Sequence, residues 1–297
     1  MSITTPRPLT TPLWSRLQRA VQPIVLLLPA GVWLLLLLVV PTVLILEISM
    51  VPGLRPEDPI ENYGIGNYLR ILEPVYLQVM ARSLYYAAGA TMACLLAGFP
   101  VAYWIALMAP KRWRTLLLVA FVLPLWTSSL LRAYAWITIL RPSGVLNTAL
   151  AALGLPGQGW LNDSPAVLIG LTYSYLPYMV LILYASLEKL DRRLLEASAD
   201  LGATPRQTFF RVTVPQSLPG IVAGALLVFI TSMGDFVVPE LLGGASSMTI
   251  PRLIYNQFLG AARNWGFGSA LSMVLIAAVS LAIALLIRFG DRRTDYT

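Results

Sequence analysis

The sequence predicts an all-α polytopic membrane protein, with about six transmembrane helices and one long cytoplasmic loop built from short helices. Three observations predict it. Of 297 residues, 57% are hydrophobic and only 12% charged, giving a mean hydropathy of +0.72, well outside the range of soluble domains. The apolar residues gather into runs of about 20, the length that crosses roughly 30 Å of hydrocarbon. The basic residues fall in alternate connections between those runs, so the formal charge of +7 reads as a topology signal rather than a nucleic-acid footprint. Histidine is absent and Cys94 is the single cysteine, which removes a disulfide framework and disfavours metal-centred or His-assisted chemistry. The sequence thus offers no catalytic and no metal-ligating residues.

The first run, Ile24 to Met50, is too long for a signal-peptide core and has no clear small-residue cleavage site, so it is expected to remain as a helix behind a polar, proline-containing tail, Met1 to Gln22. The remaining spans are expected at Ser83 to Met108, Thr115 to Leu140, Pro165 to Leu187, Pro219 to Leu242 and Ser269 to Arg288. Pro41, Pro100, Pro124, Pro177 and Pro239 lie inside these runs, which membrane helices tolerate where neighbours satisfy the freed carbonyls. The organisation is therefore a tail at 1–23, a membrane domain at 24–290 and a second tail at 291–297. Small residues at four-residue spacing, Gly89, Ala93 and Ala97 and then Gly220 and Gly224, mark close helix packing.

Orientation follows from the cations. Arg7, Arg16 and Arg19 precede the first span, Lys111, Arg112 and Arg114 fill the second connection, five more lie between Lys189 and Arg211, and Arg288, Arg292 and Arg293 close the chain. The first opposite connection is acidic instead, with Glu57, Asp58, Glu61 and Glu73. The positive-inside rule then puts both termini in the cytoplasm.

The connection between spans four and five is longer than a turn requires and carries its own helix signals. Asp191 is placed to cap a helix from Arg192, with Leu190 and Leu195 at staple positions and Gly202 as its stop. Thr204-Pro205-Arg206-Gln207 reads as N-cap, N1 proline and capping-box glutamine, opening a second helix that should end before Pro215. Leu194, Leu195, Ala197 and Leu201 on the first helix, and Phe209, Phe210 and Val212 on the second, give the pair apolar surface beyond what a solvated loop needs. Spacing alone leaves open whether that surface caps its own bundle or meets a partner.

Glu196-Ala197-Ser198, then Gly202, then Val212-Thr213-Val214-Pro215 resembles the EAA loop of binding-protein-dependent ABC importer permeases, with Ser198, Val212 and Val214 as small departures from its Ala, Ile and Leu. The resemblance implies that the loop, 188–219, forms coupling helices seated on a separate ATPase, with Glu196, Ala197, Ser198, Gly202 and Pro215 as the coupling positions. No P-loop lysine motif occurs in the chain, so ATP and magnesium belong to the partner and no cofactor is expected here. Leu123 to Ser129, Arg132 to Trp136, Gly144 to Asn147 and Asp235 to Gly244 resemble the permeases of spermidine and putrescine importers. That likeness implies a bacterial inner-membrane location, two ATPase subunits, a second and homologous permease subunit, an extracytoplasmic solute-binding protein, and a polyamine as solute. Amino-acid derivatives and opines are alternatives, as is a self-sufficient secondary transporter or channel; a membrane enzyme is disfavoured.

Asp235 falls inside the fifth run, where an ionisable side chain usually faces a cavity or a partner. Counted along straight helices, Asp235 and Arg132 lie at similar depth, roughly 25 Å in, so Asp235 is read equally as a solute-binding carboxylate or as half of an ion pair. Trp126, Tyr134, Trp136, Tyr173 and Tyr175 offer ring faces to an ammonium group, with packing as the plainer role for each. Glu240, a further candidate for the solute pathway, and Glu47 lie nearer the outer interface, where solvent or pairing with Arg82 or Arg132 is expected. Between Arg141 and Ser164, Val145 to Leu153 should form a short interfacial helix stopped by Gly154 and Pro156.

Overall fold

The computed structural model describes residues 27–60 and 62–294, with the backbone alone at 245, 286 and 289–294. The N-terminal tail with its three arginines, the start of the first span and Glu61 lie outside the described residues, as do the side chains of Arg292 and Arg293. The chain forms helices α1 (Leu27–Ser49), α2 (Gly66–Ile71), α3 (Pro74–Met108), α4 (Lys111–Trp126), α5 (Ser129–Leu140), α6 (Val145–Ala152) and α7 (Ser164–Glu188). It continues through α8 (Arg192–Asp200), α9 (Pro205–Gln216), α10 (Leu218–Met233), α11 (Val237–Gly243), α12 (Ile250–Phe258) and α13 (Trp265–Thr294). In hydrocarbon every backbone N–H and C=O must find a partner within the chain, and for runs this apolar the helix is the local solution. Helix α13 runs on to Thr294, into the segment read as a tail.

Four helices are long and apolar enough to span a membrane, and the count reaches six when two bent pairs are each taken as one span. Helix α3 starts at Pro74, well before the expected Ser83, because Gln78 and Arg82 dilute its hydropathy without interrupting its hydrogen bonds. Three helices carry a widened π turn, at Leu35–Val39, Trp104–Met108 and Phe209–Thr213. Each π turn ends two residues before a proline, Pro41, Pro110 or Pro215. Inside α1 and α9 the proline ring would collide with the carbonyl four residues back, at Leu37 and Arg211, and widening that turn moves the carbonyl aside, whereas Pro110 lies past the end of α3, after the extended Ala109.

The centre of the fold is the packing of α3, α7 and α10, which touch one another more extensively than any other helices. Glycines make the close approach: a Cβ at Gly89 would stand 2.8 Å from Leu168, one at Gly224 2.8 Å from the Met179 sulfur, and one at Gly220 would overlap Ser186. Ala97, expected in this seam, is exposed instead; the inward face of α3 runs through Ala90, Cys94 and Gly98, one helical turn apart. Helix α13 packs on α10 and supports α1, whose remaining surface is bare.

The third and fifth apolar runs are not straight spans. The third breaks at Thr127–Ser128, where both residues are extended and α4 turns through 94° into the segment beginning with α5. The fifth stops at Met233, and α11 restarts at Val237 after three non-helical residues. Depth counted along an uninterrupted helix therefore fails for Arg132, which lies beyond the 94° bend, whereas Asp235 stands just past the end of the continuous α10. These breaks bring α11, which follows Asp235, against α7 and against α5, which carries Arg132.

Candidate functional site

The first candidate region is the hairpin of α8 and α9. Asp191 caps α8 by accepting from the Arg193 N–H at 3.0 Å, and Gly202 ends it at φ +79°, a left-handed conformation that favours glycine. Thr204 and Gln207 close the expected capping box around Pro205. The second helix does not end before Pro215; its π turn absorbs the proline, and the helix continues to Gln216 before bending 64° into α10.

Phe209 packs edge-on against Phe99 and Tyr103 at the end of α3, and the Arg192 guanidinium donates to the Leu107 carbonyl at 3.4 Å, so the hairpin is fixed to the bundle. Ser198 is half-buried, and its hydroxyl shares a 2.9 Å hydrogen bond with Thr208 that ties the two helices together. Glu196, Ala197, Gly202 and Pro215 are exposed. Leu201 is 89% and Phe210 68% exposed, and a groove of about 740 Å³ runs past Leu194, Ala197, Leu201, Val212 and Pro215. The apolar surface thus divides: Phe209 faces inward, while Leu201 and Phe210 are left without cover.

The second region lies where the broken runs meet. Asp235 Oδ1 accepts from the Val237 and Val238 N–H groups at 2.8 and 3.3 Å, capping α11. Asp235 Oδ2 accepts from the Tyr175 hydroxyl at 2.9 Å, and that hydroxyl also lies 3.3 Å from the Thr231 carbonyl. Arg132 forms no ion pair with Asp235 at contact distance; the salt bridge among the described residues joins Arg252 to Glu240. The Nε and Nη1 atoms of Arg132 are shut from solvent and have no hydrogen-bond partner.

The aromatic candidates do not form one cage. Trp136 and Tyr173 pair edge-to-face at 5.4 Å, and Tyr175 leans on Tyr178. Trp126, 82% exposed, and Tyr134 stand on the surface of the described bundle, without an aromatic partner among the described residues. Glu240 is held by Arg252, whose guanidinium also donates to the Gly244 carbonyl at 2.7 Å, rather than by Arg82 or Arg132. Glu47 accepts from Tyr63 at 3.0 Å. Beside the Glu240 pair, Phe236 and Tyr255 stack at 5.1 Å, so two contacts clamp α11 to α12. Sequence reasoning missed this clamp because its partners come from separate segments and meet only through tertiary packing.

Residues 98–296 match the family described as binding-protein-dependent transport system inner membrane component. The spermidine/putrescine transport system permease protein PotB of Haemophilus influenzae is 43% identical over 253 residues, covering 84% of this chain and 88% of that protein. Among solved structures, a chain of a bacterial ABC transporter involved in the import of the acidic polysaccharide alginate superposes with a TM-score of 0.77 at 19% identity, covering 95% of this chain and 99% of that one. A chain of the bacterial alginate transporter in complex with an alginate pentasaccharide-bound periplasmic protein gives 0.74 at 19% identity, covering 95% and 98%.

Proposed function

The chain belongs to the family of binding-protein-dependent transport system inner membrane components, and from that premise we propose that it passes a polyamine, putrescine or spermidine, into the cytoplasm. The family fixes the coarser function: the protein is an integral-membrane permease subunit of an ABC importer, a transport component that is not itself an enzyme, working with an ATPase and a solute-binding protein. The observation that carries the solute is the 43% identity to a spermidine/putrescine permease over most of both chains.

In this reading the α8–α9 hairpin faces the cytoplasm together with both termini, in the inner membrane. A binding protein meets the opposite face. Leu201 and Phe210 enter a recess of the ATPase, and the exposed Glu196, Ala197, Gly202 and Pro215 lie around that contact, while Ser198 keeps the hairpin rigid. Two ATPase subunits carry the ATP and magnesium, this chain binds no cofactor, and a homologous second permease subunit completes the pathway. Nucleotide-driven closure moves the hairpin as a rigid body, and Phe209 and Arg192 pass that movement to α3, switching the pathway between its two openings.

Asp235 and Tyr175 lie on the pathway, with Trp126, Tyr134 and Tyr173 contributing ring faces once the second subunit is in place. Glu240, held in the clamp with Arg252, borders that pathway. The test is reconstitution of this permease with its second permease, ATPase and binding protein in vesicles, measuring ATP-driven uptake of labelled putrescine and spermidine. Uptake that needs ATP and competes with unlabelled diamine is the expected result. Failure of both amines beside uptake of an amino-acid derivative or opine would remove the polyamine reading, and uptake by this chain alone would remove the ATP-driven one.

A further inference from the structure

The meeting point of the two broken runs holds unmatched hydrogen-bonding capacity. Asp235 Oδ1 already accepts twice, from Val237 and Val238, whereas Oδ2 accepts once, from Tyr175, and a carboxylate oxygen has room for a second donor. Arg132 supplies the reverse, a guanidinium whose Nε and Nη1 are buried and unpartnered. It stands on α5, which packs against α11, the helix whose first turn Asp235 caps. A cation without a partner among apolar helices is costly. Both residues belong to segments set by chain breaks, Arg132 one turn into α5 after the 94° bend and Asp235 in the gap before α11, and α5 packs directly on α11. A relative shift of those two helices would change the separation of Arg132 from Oδ2.

We propose that Arg132 is a tethered counter-ion that competes with the travelling ammonium group for Asp235 Oδ2, taking the carboxylate when the solute leaves and yielding it when the solute arrives. This deepens the polyamine reading and rests on it. A fixed carboxylate in a low-dielectric pathway would hold a cation too tightly for turnover, and a resident guanidinium lowers that affinity and gives the departing amine a replacement. Oδ1 stays on the α11 backbone throughout, so the exchange does not undo the cap.

The experiment uses the full four-component importer and reads KM and maximal rate of putrescine uptake for the wild type, Arg132→Gln, Arg132→Lys, Asp235→Asn and the double variant. With the competitor gone, Arg132→Gln should lower KM at least 3-fold and slow maximal uptake, because the amine is released poorly. Asp235→Asn should raise KM about 10-fold, and in that background Arg132→Gln should change KM by less than 2-fold. Arg132→Lys keeps a charge on a shorter reach and should lower KM less than Arg132→Gln while keeping the rate.

An unchanged or raised KM in Arg132→Gln overturns the proposal, as does a KM effect that persists undiminished in Asp235→Asn. If Arg132→Gln does not assemble with its partners, Arg132→Lys decides alone: a lowered KM supports the exchange, and an unchanged or raised one refutes it. Absence of amine uptake by the wild type is a separate outcome, which removes the polyamine reading and this inference together. Normal wild-type uptake with unresponsive variants removes the exchange alone.

Discussion

The Tyr175 hydroxyl donates to Asp235 Oδ2 across 2.9 Å, joining the middle of α7 to the gap between α10 and α11. This bond crosses from an unbroken span to a broken one. Tyr175→Phe keeps the ring's packing and removes the bond, so the assembled protein should lose about 1 kcal/mol, within the range for side-chain bonds between membrane helices. Thermal unfolding of the detergent-solubilised complex measures it. An unaltered midpoint would mean that the bond contributes nothing net.

Asp235→Ala should cost more than Asp235→Asn. Both remove the charge, but Asn retains an oxygen for the Val237 and Val238 N–H groups, whereas Ala leaves the first turn of α11 uncapped at a further cost of about 1 kcal/mol. Equal unfolding midpoints for the two variants would show that the carboxylate does not act as a cap.

Leu201→Asp and Phe210→Asp should leave folding intact and break the complex. Their side chains are 89% and 68% exposed, so the isolated permease loses little burial. Covering a large apolar side chain is worth about 1.5–3 kcal/mol, so each change should weaken ATPase association roughly 10- to 100-fold. Co-purification of the ATPase, read beside an unaltered unfolding midpoint of the permease, tests it. Retained association would put the docking surface elsewhere.

The Glu240–Arg252 pair should show non-additivity. Glu240→Gln and Arg252→Gln each break the clamp between α11 and α12, and the double variant should be more stable than the sum of the singles predicts, by about 1 kcal/mol. Additive losses across the cycle would show that the two side chains act independently.

The hairpin was readable from sequence because its signals are local. Asp191, Thr204, Gln207 and Gly202 act on backbone groups within a few residues, and the structure realises each one. Its far end is less legible, since Pro215 reads as a stop and a π turn accommodates it instead. The breaks at Thr127–Ser128 and Gly234–Phe236 were hidden because hydropathy averages over a run, and neither break lowers that average enough to end it. The Asp235 cap had a local signal, an aspartate two residues before Val237, but the surrounding apolar stretch favoured an unbroken helix. The pairing of Glu240 with Arg252 had none, because charges twelve residues apart across a connection meet only through tertiary packing.

Gly202 separates space from conformation. A Cβ there would touch nothing within 4 Å, so Gly202→Ala meets no steric obstacle from neighbouring groups. The backbone, however, stands at φ +79°, where an L side chain costs about 1–2 kcal/mol. Gly202→Ala should therefore fold, with a slightly weakened hairpin and uptake reduced a few-fold. Gly202→Pro fixes φ near the opposite sign and removes the N–H that donates to the Ala199 carbonyl at 2.9 Å, so the turn between α8 and α9 cannot form. Its spans should still insert, because none depends on that turn, while ATP hydrolysis by the complex ceases to respond to loaded binding protein. Solute-stimulated ATPase activity for both variants is the measurement. Equal coupling in Gly202→Pro and wild type would mean that the hairpin's shape does not transmit the partner's motion.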